Sequence, residues 1–166
     1  MTRKLNPAHC SALMRMVNQS AYFAYTGIHL VRLDHGYAAV EAEITEQLCN
    51  PFGTVHGGVY ASVIDTVTYW AAYGNRDEDA GFTTLDLQVN HLAMAQKGKL
   101  LATATAVKEG RSVCLCEAVI EDETGRILAH GTSKLLILEG RQRIGDALQY
   151  LGFPPLPPKF LPHQKS

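Results

Sequence analysis

Apolar residues change their period several times along the chain, and each change predicts an element. Between residues 8 and 20, Leu13, Met14, Met16 and Val17 fall on one stripe at helical spacing. IHLVRLD (28–34) and YAAVEAEI (37–44) then read as a hairpin turning at His35-Gly36, with Val40, Ala42 and Ile44 alternating against Glu41 and Glu43. TEQLCNPFGTV follows as a loop broken by Pro51 and Gly53. Residues 57–73 have the length of a long helix, stopped by Gly74-Asn75 and the charged loop RDED. Four strand-like runs come next: FTTLDLQVNHL (82–92), LLATATAV (100–107), SVCLCEAVIE (112–121) and RILAHGTSKLLIL (126–138). Their short, turn-forming connections predict mostly antiparallel neighbours. A short helix is predicted over 141–150. FPPLPPKFLPHQ then holds five of the seven prolines and predicts an extended arm, packed or loose.

The order of helix, two strands, long helix and four strands predicts an α+β fold in which the long helix buries itself against an antiparallel sheet. The 166 residues suit one domain, and nothing in them reads as a repeat or a dividing linker. Composition changes this picture little. Hydrophobic residues make up 46% and charged residues 19%, as in an ordinary globular chain. The net charge of -1 comes without a basic stripe or an acidic tail, so neither nucleic acid nor membrane is expected as a partner. The first twenty residues lack the unbroken apolar core of a signal peptide, and no apolar run approaches the roughly 20 residues of a membrane span. A soluble, cytoplasmic protein is expected. Cys114 and Cys116 would share one strand face, too close along the chain to bridge. No second Cys pair or His-x-x-x-His completes a metal site, so Cys10, Cys49, Cys114 and Cys116 are expected to be inert thiols, and neither metal nor cofactor is expected.

The long helix raises the chemical question. At 100° per residue, Val59, Tyr60, Val63, Ile64, Val67, Trp70 and Ala71 fill one arc, which should face the sheet. The other arc holds Gly58, Ala61, Ser62, Asp65, Thr66, Thr68, Tyr69 and Ala72. Asp65 is the only Asp, Glu, Lys or Arg between Glu46 and Arg76. The second arc is therefore expected to be covered too, by the sheet or by a second subunit. A buried carboxylate costs several kcal/mol unless it is hydrogen-bonded or used. Asp65 is either satisfied by hydroxyls such as those of Ser62 and Thr68, or it does chemistry. At the helix start, His56-Gly57-Gly58 offers unpaired N–H groups at the positive end of the helix dipole, an environment that can hold an oxyanion. The alternative is a tight glycine turn with a structural histidine.

NPFGTVHGGVYASVIDTVTYWAA, then FTTLDLQVNHL, then GRSVCLCEAVIEDETGRILAHGTSKLLI together resemble the PaaI-like, 4-hydroxybenzoyl-CoA thioesterase-type branch of the hotdog-fold acyl-CoA thioesterases. The resemblance covers roughly residues 22–139, leaving 1–21 as an N-terminal helical extension and 140–166 as a Pro-rich C-terminal one. It implies a sheet wrapped around one central helix, and hydrolysis of an acyl-CoA without a cofactor. It implies Asp65 as the catalytic carboxylate and the Gly57 N–H as the group polarising the thioester carbonyl. Asn50 and His56 then stand beside that hole, and Thr84 orients water, with Thr83 next in line. Gly58, Lys108, Gly110, Arg111 and Ser112 become candidates for contact with coenzyme A, and Lys134 a further cation; Phe52, Tyr69 and Trp70 are candidates for an acyl pocket. Relatives often continue Asn-Tyr/Phe-Leu-Arg-Pro where this chain has Asn90-His91-Leu92-Ala93-Met94, so the Arg-Pro is missing and the resemblance does not extend to a phosphate contact there or to the local path of the chain.

Spacing adds a consequence. Gly57 and Asp65 are eight residues apart, about 12 Å along one helix. One thioester carbon cannot reach both, so the pair must come from two protomers with antiparallel helices, a homodimer that the resemblance extends to a tetramer. Two other readings compete: a non-catalytic acyl-CoA binder, and a hydratase. The hydratase signature Asp-x4-His is mimicked by Asp86 and His91, but on a strand an odd separation puts these on opposite faces. The acyl group, aromatic or aliphatic, is not legible.

Overall fold

The computed structural model describes residues 3–162; His163 to Ser166, the end of the predicted arm, lie outside the described residues. Helix α1 (Pro7–Gln19) starts at Asn6, whose side chain accepts the Ala8 N–H at 3.0 Å. Pro7 opens the helix, where its missing N–H costs nothing. A short helix α2 (Ala21–Thr26) follows, which the apolar pattern did not separate, and Gly27 ends it at φ 66°. Then come β1 (Ile28–Asp34), β2 (Tyr37–Glu43), a 3-10 turn at Glu46–Leu48, the long helix α3 (Gly57–Gly74), β3 (Gly81–His91), β4 (Lys99–Glu109), β5 (Val113–Glu121), β6 (Ile127–Leu138) and α4 (Ile144–Leu151).

All six strands form one antiparallel sheet in the order β1-β2-β4-β5-β6-β3. The chain after α3 thus enters at the far edge before returning to the middle. The sheet curls around α3, which touches every strand. Small side chains on the inner face make this possible: Ala38 and Ala42 on β2, Ala102 and Ala104 on β4, and Cys114, Cys116 and Ala118 on β5 are all buried. At Gly131 on β6 a Cβ would lie only 2.8 Å from Ile64 Cδ1, so glycine sets how closely strand and helix approach. Burial pushes the Cys116 thiol up to about 12, so it stays protonated and packs as a small apolar group. The cysteines are free.

The C-terminal arm is packed. After α4 it crosses to the C-terminal end of α3, where Leu5 and Phe160 form an isolated bridge and the Asn6 amide donates to the Pro158 carbonyl at 2.8 Å. Lys159 is fully buried there. Its Nζ donates to the carbonyls of Tyr73 (2.6 Å) and Arg76 (2.7 Å), at the helix end where carbonyls lack partners, and lies 3.4 Å from the Tyr73 ring centre. Burial pulls its pKa down to about 7. Buried His9 bridges the same cluster, with Nε2 3.0 Å from the Tyr73 hydroxyl and Nδ1 2.7 Å from the Pro157 carbonyl. No helix among the described residues is long and apolar enough to cross a membrane.

Candidate active site

The outer arc of α3 is divided. Thr68 and Ala72 are buried within the chain, whereas Ala61, Ser62, Asp65, Thr66 and Tyr69 are half-buried and Gly58 is exposed. Gly58, Ser62, Asp65 and Tyr69 recur at intervals of four, three and four residues and so form one strip. Neither Ser62 nor Thr68 satisfies the Asp65 carboxylate. Ser62 donates back to the Gly58 carbonyl at 3.0 Å, and Thr68 to the Ile64 carbonyl at 2.8 Å. The partner is Thr84 on β3, whose hydroxyl donates to Asp65 Oδ1 at 2.7 Å. Thr83, one position earlier on the same strand, makes no side-chain hydrogen bond to Asp65 among the described residues.

At the start of α3, His56 is the N-cap: its Nδ1 accepts the Gly58 N–H at 2.9 Å. The Gly57 N–H has no acceptor among the described residues. Asn50 holds the preceding loop together. Its Oδ1 accepts the Phe52 N–H at 2.9 Å, and its Nδ2 donates to the Thr54 hydroxyl at 2.8 Å. Asn50 and Gly57 line a cavity of about 410 Å³ with Tyr60, His91, Leu92 and Met94. His91 is the residue that sequence reasoning set aside. A Cβ built on Gly57 would lie 3.3 Å from His91 Cε1, and the ring meets Tyr60 edge-on at 5.5 Å. Thr84 and His91 both face α3 although they are seven positions apart, because a bulge at Leu85 flips the alternation once. No periodicity in the sequence announces that bulge.

Asp86 and His91 do lie on opposite faces of β3. Asp86 accepts from Lys134 Nζ at 3.0 Å, away from the helix, so the two do not form a hydratase-like pair and Lys134 is occupied. The β4–β5 turn, with exposed Lys108, Arg111 and Ser112, sits at the other end of α3 from Gly57. Asn75 Nδ2 donates there to Glu109 Oε1 at 2.6 Å, and the Arg76 guanidinium to the Gly110 carbonyl. One chain therefore does not gather these residues around the Gly57 cavity. Among the acyl-pocket candidates, Phe52 is 87% exposed, while Trp70 is in the core against Tyr69 and Tyr73. Burial lifts the Tyr69 hydroxyl to about 12. Among the described residues no cluster of His, Cys, Asp or Glu could hold a metal ion.

Residues 52–129, which include Gly57, Asp65, Thr84 and His91, match the thioesterase superfamily. The chain is 33% identical over 116 residues to a 1,4-dihydroxy-2-naphthoyl-CoA hydrolase from Listeria monocytogenes, covering 70% of this chain and 94% of that protein. It is 26% identical over 106 residues to acyl-coenzyme A thioesterase 13 of Pongo abelii, covering 63% of this chain and 75% of that one. The fold also matches the crystal structure of a thioesterase from Haemophilus influenzae, with a TM-score of 0.76 at 21% identity over 85% of this chain and 97% of that chain. A six-stranded antiparallel sheet closed around one long helix, together with these likenesses, identifies the chain as a hotdog-fold thioester hydrolase of the thioesterase superfamily.

Proposed function

We propose that the protein hydrolyses acyl-CoA thioesters to a free acid and coenzyme A, with Asp65 as the catalytic carboxylate. The observation that carries this reading is the division of groups along α3: a carboxylate positioned by Thr84 on the half-buried strip, and an unpaired Gly57 N–H at the helix start. The Gly57 N–H, reinforced by the helix dipole, suits the oxygen of a thioester carbonyl as it gains charge. Asp65 suits the attack. As a general base it takes a proton from water, whose oxygen bonds to the carbonyl carbon while the C–S bond breaks and the thiolate leaves. As a nucleophile it forms an anhydride that water then opens. Both routes consume one water. Hydrolysis in oxygen-18 water distinguishes them, because only the anhydride route can leave the label in Asp65. His56 caps the helix, and Asn50 holds the loop beside the cavity.

About 12 Å of helix separates Gly57 from Asp65, so each site takes its N–H from one copy and its carboxylate from another in a homodimer. Antiparallel helices would also bring the β4–β5 turn of the second copy to the Gly57 end, where Lys108, Gly110, Arg111 and Ser112 could meet the phosphates of coenzyme A. Both relatives above carry coenzyme A in their names, which supports that carrier. The test is a panel of acyl-CoAs with released thiol as readout, on wild type and Asp65→Asn. Turnover should fall by about two to four orders of magnitude in the variant; turnover equal to wild type overturns the reading.

A further inference from the structure

The helix α2 is an odd piece of chain. It buries none of its residues and presents Tyr22, 53% exposed, and Tyr25 to the outside. It also lies before residue 52, outside the segment matched to the superfamily. Yet Tyr22 is held firmly: its hydroxyl donates to Ser62 Oγ at 2.6 Å, and Ser62 in turn donates to the Gly58 carbonyl at 3.0 Å. The phenol is thereby anchored on the strip that carries Asp65. Ser62 and Asp65 are three residues apart, so their Cβ atoms are neighbours at about 5–6 Å. Thr84 reaches the strip from β3 and Tyr22 reaches it from α2. The strip of Ser62 and Asp65 is thus met by a side chain from α2 at one residue and by a side chain from β3 at the other.

We infer that Tyr22 is a specificity-determining residue of this site, its anchored ring walling the acyl end and favouring acyl groups that carry an aromatic ring. The inference rests on the proposed hydrolysis at Asp65. A carbonyl carbon within attacking distance of a group at Asp65, about 3–3.5 Å, places the next few atoms of the acyl group beside Ser62 and Tyr22. An aromatic acyl group can meet the phenol edge-on or offset at centroid distances of about 4.5–7 Å, a contact an alkyl chain cannot reproduce. Fixing the ring through its hydroxyl removes the rotamer loss that a free surface tyrosine would suffer on binding. Among the described residues, no aromatic contact other than an edge contact with Phe23 at 6.3 Å ties Tyr22 to the fold.

The test compares kcat/KM for benzoyl-CoA and hexanoyl-CoA in wild type, Tyr22→Ala, Tyr22→Phe and Ser62→Ala. Wild type should favour benzoyl-CoA. Tyr22→Ala should lower the benzoyl-to-hexanoyl ratio about tenfold, chiefly through KM for the aromatic substrate. Tyr22→Phe keeps the ring and should hold the ratio within about threefold of wild type, with Ser62→Ala, which releases the ring, in between. Equal losses on both substrates in Tyr22→Ala, as a merely structural role would give, overturn the inference. So does an unchanged ratio, or a wild type that prefers hexanoyl-CoA. A wild type inert towards both overturns the proposed hydrolysis itself, and this shows before any substitution is made.

Discussion

Thr84 donates its hydroxyl to Asp65 Oδ1 at 2.7 Å across the gap between β3 and α3, and among the described residues Asp65 Oδ2 has no partner. One oxygen is thus fixed while the other stays available. Removing the donor should loosen the carboxylate without removing it. Thr84→Val is expected to lower kcat by about 10- to 100-fold with KM little changed, and Thr84→Ser to recover most of the loss. Steady-state kinetics on one good acyl-CoA checks this; a Thr84→Val variant as fast as wild type would remove Thr84 from the site.

The proposed sharing of each site between two copies makes a sharper prediction. Gly57→Pro deletes the N–H at the first helical position, where proline is tolerated. Alone, it and Asp65→Asn should each be nearly inactive. Mixed by unfolding and refolding together, they should recover about a quarter of wild-type activity, since half the dimers are mixed and each holds one intact site. No recovery, with mixed dimers verified by tag, would place both groups in one protomer's site.

Arg111 is exposed on the β4–β5 turn. If that turn meets coenzyme A phosphates in the dimer, Arg111→Ala should raise KM about 3- to 10-fold at low ionic strength and leave kcat alone, with the difference shrinking as salt is added. An acyl-pantetheine substrate, which lacks the nucleotide, should show no difference between the two proteins. Equal KM values on acyl-CoA at low salt would take Arg111 out of the binding site.

Lys159 links stability to pH. It titrates near 10.5 when unfolded and at about 7 when folded, because burial opposes its charge more than Asp77 and Glu78 support it. Below about 7 both states are protonated and the full cost of burying the charge is present. Between about 7 and 10.5 only the unfolded chain holds the extra proton, so stability climbs with pH across that window. His9, lowered from 6.5 by its own burial, titrates below the window. Thermal melts from pH ~6.5 to ~8.5 should show this climb in wild type and its absence in Lys159→Met. The variant also leaves two carbonyls without their donor, a cost of about 1–3 kcal/mol. Parallel curves for the two proteins would contradict the linkage.

Some of this was legible in the chain, for definite reasons. The long helix could be read because glycines bracket it and its apolar residues keep one period. Asp65 stood out because no other charge competes with it between Glu46 and Arg76. Thr84 came only from family resemblance, since nothing local ties a threonine on a strand to an aspartate nineteen residues earlier. His91 reads in the sequence only as a failed partner for Asp86, because nothing there announces the bulge at Leu85 that puts it on the same face as Thr84. The strand order was hidden because the edge position of β3 depends on how the sheet closes around α3 rather than on any local pattern. Tyr22 gave no signal, as its contact with Ser62 joins residues forty apart.

The bridge between Leu5 and Phe160, beside the bond from Asn6 to Pro158, has a topological meaning. The described chain comes back to its own beginning, so in space it is nearly a ring. A short splice from one side of that bridge to the other, with new ends cut in the exposed Glu123–Gly125 turn, would present the same strands, helix and strip in a different order of synthesis.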